Sequence, residues 1–164
     1  MDTYITIGIT CYRERFWLKE CWGSVLSQSD SRWKAIMILD GGADKKTQKI
    51  FQDIEHPALQ KYQLQKNVGP YLTRTLAILN STTDWYYHLD GDDMLPVDAV
   101  ALIIDAINRN PQAGFIYGDT LHFDETKSYL REIEPYEDGL ENICLYVRRS
   151  SPIKRDTFWE IGGF

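Results

Sequence analysis

The sequence is poor in cysteine, carries fewer basic than acidic residues, and holds no long hydrophobic run. Its three cysteines, Cys11, Cys21 and Cys144, form no Cys-x-x-Cys pair, and their number is odd. They read as free thiols in a reducing compartment rather than as a disulfide framework. No stretch approaches the roughly 20 apolar residues that span a bilayer, so no membrane span is expected. Met1-Asp2-Thr3 leads almost at once into a strand and lacks the basic start of a signal peptide. The expected location is therefore cytoplasmic, or peripheral to the inner face of a membrane. Asn80-Ser81-Thr82 fits the glycosylation sequon, but a cytoplasmic protein would leave it unused. Eighteen Lys and Arg stand against 24 Asp and Glu, a formal charge of -6. That balance disfavours nucleic acid as a partner. An acidic chain that binds an anion needs a local cation.

What is present fits a globular protein. Apolar residues make up 43% of the 164, enough for one α/β domain with a real core. No repeat, linker or low-complexity segment divides it, so residues 1–164 read as a single domain. Ile5, Ile7 and Ile9 alternate with Thr6 and Gly8, the pattern of a strand from Tyr4 to Thr10. Phe16, Trp17, Cys21, Trp22, Val25 and Leu26 recur at helical spacing, which predicts one apolar face with Trp17 and Trp22 in the core. Trp33–Leu39 is a second strand, broken by Gly41 and Gly42. Asp44 is placed to cap a helix from Lys45 to Asp53. Tyr62–Gln65 is a short third strand, and Pro70 or Tyr71 opens a helix to Leu79. Trp85–Leu89 is the fourth strand. A helix then starts at Pro96 and stops near Asn110, and Phe115–Tyr117 is a fifth strand. Leu121–Phe123 and Tyr129–Ile133 suit a hairpin, Ser151–Lys154 a last strand, and Asp156–Ile161 a last helix. This alternation predicts a mostly parallel sheet with helices on both faces. Ligands of such sheets sit at the carboxyl ends of the strands.

The tetrad Asp90-Gly91-Asp92-Asp93 falls at one of those ends. Three like charges within four residues repel one another, and a hard divalent cation relieves this. A cation there would bridge to a phosphate, which points to a nucleotide substrate. The plain alternative is a solvated acidic loop capping the next helix. An EF-hand is excluded, because the spacing offers no Gly at its sixth position and no Glu at its twelfth. Asp40, before two glycines, has a turn residue as its plain reading. Neither His88 nor His122 has a second His at metal spacing, so both read as structural.

Taken in order, these pieces resemble the family 2 glycosyltransferases. Ile5-Thr6-Ile7-Gly8-Ile9-Thr10-Cys11-Tyr12 resembles the opening strand of that family. Ser24-Val25-Leu26-Ser27-Gln28 resembles its Ser-Val-Leu-x-Gln, and Leu39-Asp40-Gly41-Gly42-Ala43-Asp44 its Asp-Asp-Gly-Ser-Thr-Asp. Asn67-x-Gly69 with Arg74, Leu89-Asp90-Gly91-Asp92-Asp93 and Ile161-Gly162-Gly163-Phe164 match its later motifs. Leu39 stands where Asp is common, and Arg13 where Asn is common.

The resemblance implies the GT-A fold, a Rossmann-like α/β sandwich. It implies an inverting transfer of sugar from a UDP-sugar donor to a glycan or lipid-linked acceptor hydroxyl, in surface polysaccharide or glycan synthesis. Asp92 and Asp93 would ligate Mn²⁺ or Mg²⁺, with Asp92 also at the ribose and Asp90 in support. Asp40 would accept the uracil N–H. Thr10 and Tyr12 would line the base and ribose pocket, and Arg74 would reach the nucleotide, unless it is an ordinary surface arginine. The family's catalytic base is an acid shortly past Gly-Gly-Phe, which places it beyond Phe164. The chain is thus expected to be the amino-terminal, nucleotide-sugar part of a longer enzyme. Glu134, Glu137 or Asp138 would be internal substitutes for that base. A non-catalytic nucleotide-sugar or partner-binding module is the alternative from another class. A nucleotidyltransferase ranks last, because Arg13-Glu14-Arg15 supplies charge but no glycines for a triphosphate loop.

Overall fold

The computed structural model describes residues 3–133 and 150–163. Its elements are β1 (Ile5–Cys11), α1 (Leu18–Leu26), β2 (Trp33–Leu39), α2 (Lys45–Asp53), β3 (Leu59–Gln63), α3 (Pro70–Leu79), β4 (Trp85–Asp90) and α4 (Ala99–Arg109). Then follow β5 (Thr120–Phe123), β6 (Ser128–Arg131), β7 (Ile153–Lys154) and α5 (Arg155–Glu160). The main sheet runs β3-β2-β1-β4-β7, parallel except for β7, and β5-β6 is a separate hairpin. Among the described residues no helix is long and apolar enough to cross a membrane.

Side chains in a strand point alternately to opposite faces, and here each parity has its own helices. Ile5, Ile7, Ile9, Met37, Leu39, Trp85 and Leu89 pack with Leu18, Cys21 and Val25 of α1, Phe51 of α2, and Val100 and Ile104 of α4. Ile36, Ile38 and Tyr86 pack on the other face with Ala77 and Ile78 of α3 and Phe158 of α5. Each such aliphatic chain, fully buried, contributes about 1.5–3 kcal/mol. On the α3 face, β1 presents Thr6, Gly8 and Thr10. The Thr6 hydroxyl meets that of Thr83 at 2.7 Å. Gly8 is required by close approach, since a Cβ there would overlap the Tyr86 hydroxyl.

Several boundaries differ from those the sequence predicts. The third strand lies at Leu59–Gln63 rather than Tyr62–Gln65. It is a half-exposed edge strand, so its register comes from pairing with Ala35–Leu39 and not from a hydrophobic pattern. Phe115–Tyr117 does not form a strand. Phe115 bridges Ile153, and Ile116 N–H donates to Pro152 O at 2.9 Å. Trp17 is 44% exposed and lies outside the core, as do Phe16 and Leu26, whereas Trp22 is buried. The buried stripe of α1 is Leu18, Cys21, Trp22 and Val25.

The fourth helix begins at Ala99, not Pro96. Residues 96–98 are held as a turn from outside. Gln28 Nε2 donates to Pro96 O (2.6 Å), Val100 N–H donates to Gln28 Oε1 (2.9 Å), and Leu95 N–H donates to Ser24 Oγ (3.0 Å). The Ser-Val-Leu-Ser-Gln segment thereby ties the end of α1 to the chain just after the acidic tetrad. A Gln28→Leu chain loses both Gln28 bonds to this segment. It is expected to unfold about 1–3 kcal/mol more readily in urea, the cost of leaving such backbone groups unpaired.

Candidate active site

The strand order reverses between β1 and β4, because β2 lies on the far side of β1. Loops leaving the two strands there diverge and open a crevice, which is where doubly wound sheets bind ligands. Thr10 and Asp90 are paired in register at this edge, and Gly91 N–H donates to Thr10 O at 3.0 Å. The tetrad therefore emerges beside Cys11 and Glu14. A cleft of about 1000 Å³ opens above it, lined by Trp17, Asp90, Asp92, Asp93 and the β5–β6 hairpin from Thr120 to Thr126.

The three aspartates of the tetrad are not equivalent. Asp92 and Asp93 are exposed. Asp90 keeps only 26% of its side chain exposed and binds Arg74, whose Nη2 donates to Oδ1 at 2.7 Å and Oδ2 at 3.0 Å. His88 Nε2 lies 2.7 Å from the same Oδ1. Burial alone would raise the Asp90 carboxyl, but its contacts with His88 and Arg74 hold it well below the ordinary carboxylate range. Asp90 is thus a locked anion. Arg74 is 3% exposed, so it is no surface arginine.

Asp40 is 6% exposed, and three backbone amides converge on its carboxylate. Oδ1 accepts from Gly41 at 2.8 Å and Val68 at 2.9 Å, and Oδ2 accepts from Gly69 at 2.9 Å. This fastens the loop after β2 to the loop after β3 and leaves acceptor capacity on Oδ2. Gly41 is needed for the same closure, since a Cβ there would overlap the Lys66 backbone. Thr10 is buried, and Tyr12 is half-buried with the Arg13 guanidinium 4.7 Å from its ring centroid.

Two members of this edge lay outside the sequence expectation. Glu14, read there only as part of a charged loop, accepts a hydrogen bond from Tyr12 N–H. Burial raises its carboxyl above the ordinary value, backbone hydrogen bonds led by that of Tyr12 oppose this, and the Asp92 charge adds to the rise. Trp17, expected in the core, lines the cleft instead. Its place just before the buried stripe of α1 is the only signal in the sequence.

The donor chemistry suits a hard cation only in part. Among the described residues no three Asp, Glu, His or Cys side chains stand together as a metal cage. Two exposed carboxylates are, however, what Mg²⁺-type sites use when substrate phosphates and water complete the shell. Asp92 and Asp93 fit that smaller role. Glu134, Glu137, Asp138 and Phe164 lie outside the described residues.

Comparison with known proteins agrees with this geometry. An uncharacterized glycosyltransferase of Rickettsia conorii is 28% identical over 160 residues, covering 95% of this chain and 25% of the relative. The structure of Staphylococcus aureus TarS 1-349 in complex with UDP-GlcNAc superposes with a TM-score of 0.76 at 13% identity, over 97% of this chain and 47% of that one. The mannosyltransferase PcManGT of Pyrobaculum calidifontis, in complex with GDP-Man and Mn²⁺, gives a TM-score of 0.70 at 13% identity, over 100% and 48%. The chain spans about a quarter of the length of the curated relatives it matches and about half of these solved chains. The fold is that of the GT-A transferases. The profile of Glycosyl transferase family 2 matches residues 6–164, and the chain belongs to that family of sugar-transferring enzymes.

Proposed function

We propose that this chain is the donor-binding part of an inverting glycosyltransferase that uses a UDP-sugar and Mn²⁺ or Mg²⁺. The observation that carries the reading is the division of labour in the tetrad. Asp90 is locked as an anion inside the sheet edge, while Asp92 and Asp93 face an open cleft at the switch point of the strand order. The nucleotide-diphospho-sugar and Mn²⁺ complexes of the structural relatives support the donor class and the cation.

In this reading Asp92 and Asp93 hold the metal, and Asp92 also meets the ribose. The cation would supply charge neutralisation for the departing diphosphate. Asp40 stiffens the base-binding edge through three amides and offers its remaining acceptor capacity to the uracil N–H. Thr10 and Tyr12 line the pocket beside it. Arg74 acts from behind, by holding Asp90 ionised and oriented. Trp17 and Phe123, both exposed at the cleft, offer aromatic faces to an acceptor glycan. The acceptor hydroxyl needs a general base, and Asp92 and Asp93 are engaged elsewhere.

The test is nucleoside diphosphate release by the full-length protein with UDP-sugars, Mn²⁺ and an acceptor extract. Acceptor-stimulated UDP release is the expected result. UDP binding without turnover under any acceptor would instead favour a non-catalytic module.

A further inference from the structure

We propose that His88 is the positioning residue that fixes Arg74 and Asp90 against each other at the cleft. Strand parity places it. Tyr86, His88 and Asp90 alternate along β4, and Tyr86 packs on the face covered by α3, the helix that carries Arg74. A neutral leucine would suit such a site, since a buried polar ring is costly unless bonded. His88 is 1% exposed, and its bonds are specific. Arg74 Nε donates to its Nε2 at 2.8 Å, and the same Nε2 lies 2.7 Å from Asp90 Oδ1. On the far side, its Nδ1 faces the Tyr86 hydroxyl at 3.4 Å. That hydroxyl occupies the space left by Gly8.

The ring is therefore braced from behind by the sheet and faces both charged partners with one atom. That atom either accepts from Arg74 or donates to Asp90; it does not do both in one tautomer. Arg74 already grips Asp90 through Nη2, so the ring closes a three-membered contact between the strand and α3. Movement of any member is felt by the other two. His88 touches neither donor nor metal in the proposed reaction. It acts through Arg74 and Asp90, and its effect on donor binding rests on the function proposed above.

The experiment compares wild type with His88→Leu and His88→Gln. The first readout needs no nucleotide: hydrogen exchange of the Arg74 Nε proton by ¹H–¹⁵N NMR. Protection is expected in wild type, with a loss of about tenfold or more in His88→Leu, the scale of one hydrogen bond to a charged group. The second is UDP affinity with Mn²⁺ by calorimetry. About a tenfold loss is expected in His88→Leu, with partial rescue in His88→Gln, whose amide still offers a donor and an acceptor. Unchanged Arg74 protection in folded His88→Leu overturns the proposal. A lower melting temperature with unchanged UDP affinity reduces His88 to a packing residue and overturns it as well. Loss of Arg74 protection together with no UDP binding by wild type upholds the three-way contact and refutes the donor reading instead. If His88→Leu does not fold, His88→Met, which also lacks the hydrogen-bonding ring, takes its place in both readouts.

Discussion

An Arg74→Met chain is expected to lose about 3 kcal/mol of stability at pH 7 in EDTA, because it strands the Asp90 carboxylate among buried neighbours. The low end of the usual range applies, since a quarter of Asp90 still reaches water. For a chain of this size that is a fall of about 6–12 °C in melting temperature. The deficit has a pH signature. The folded-state pKa of Asp90 is depressed, so its contribution is fully present above the unfolded carboxylate value of about 3.9 and is lost as pH falls through the lower folded value. Wild type and Arg74→Met should therefore differ most near neutrality and converge as the pH drops below about 4. Thermal melts across that range check it. A constant difference would mean that Arg74 contributes packing alone.

Asp92→Asn with Asp93→Asn in one chain should do the opposite to fold and to function. Both side chains are exposed on one short loop, so removing two like charges leaves the melting temperature unchanged or raises it slightly. Metal-dependent UDP affinity should fall at least about a hundredfold, because the several kcal/mol that a cation contributes at a diphosphate depend on these oxygens. In the full-length enzyme the sugar-transfer rate should fall at least as far. A double variant that keeps its Mn²⁺ response would move the metal to other ligands, such as Glu14, whose carboxyl the Asp92 charge reaches.

Elements with strong local patterning were legible in the sequence. β1 and β2 carry alternating or continuous apolar runs, Asp44 caps α2 through the Lys46 and Thr47 amides as its position implies, and Pro70 opens α3. What failed depends on partners far along the chain. The turn at 96–98 exists because Gln28 reaches across to Pro96 and Ser24 holds Leu95 just before it. β3 takes its register from β2 and not from its own polar residues. Phe115 pairs with Ile153, which is nearly forty residues away. Trp17 shares the helical period of the core but falls just before the buried stripe of α1. The site was half legible. Asp40 and the tetrad stood out as charges beside glycines at strand ends. The link among His88, Asp90 and Arg74 was present as parity, two residues on one strand face and an arginine on the crossover helix. Nothing local marked His88 as anything but a core histidine.

The central claim, a metal-assisted nucleotide-diphosphate site on the acidic tetrad, is tested most directly by titrating UDP into the 164-residue chain with and without Mn²⁺ in a calorimeter. One-to-one binding that appears or strengthens at least about tenfold with Mn²⁺ is the predicted result. Binding of equal strength in EDTA, or no binding in either condition, would contradict it.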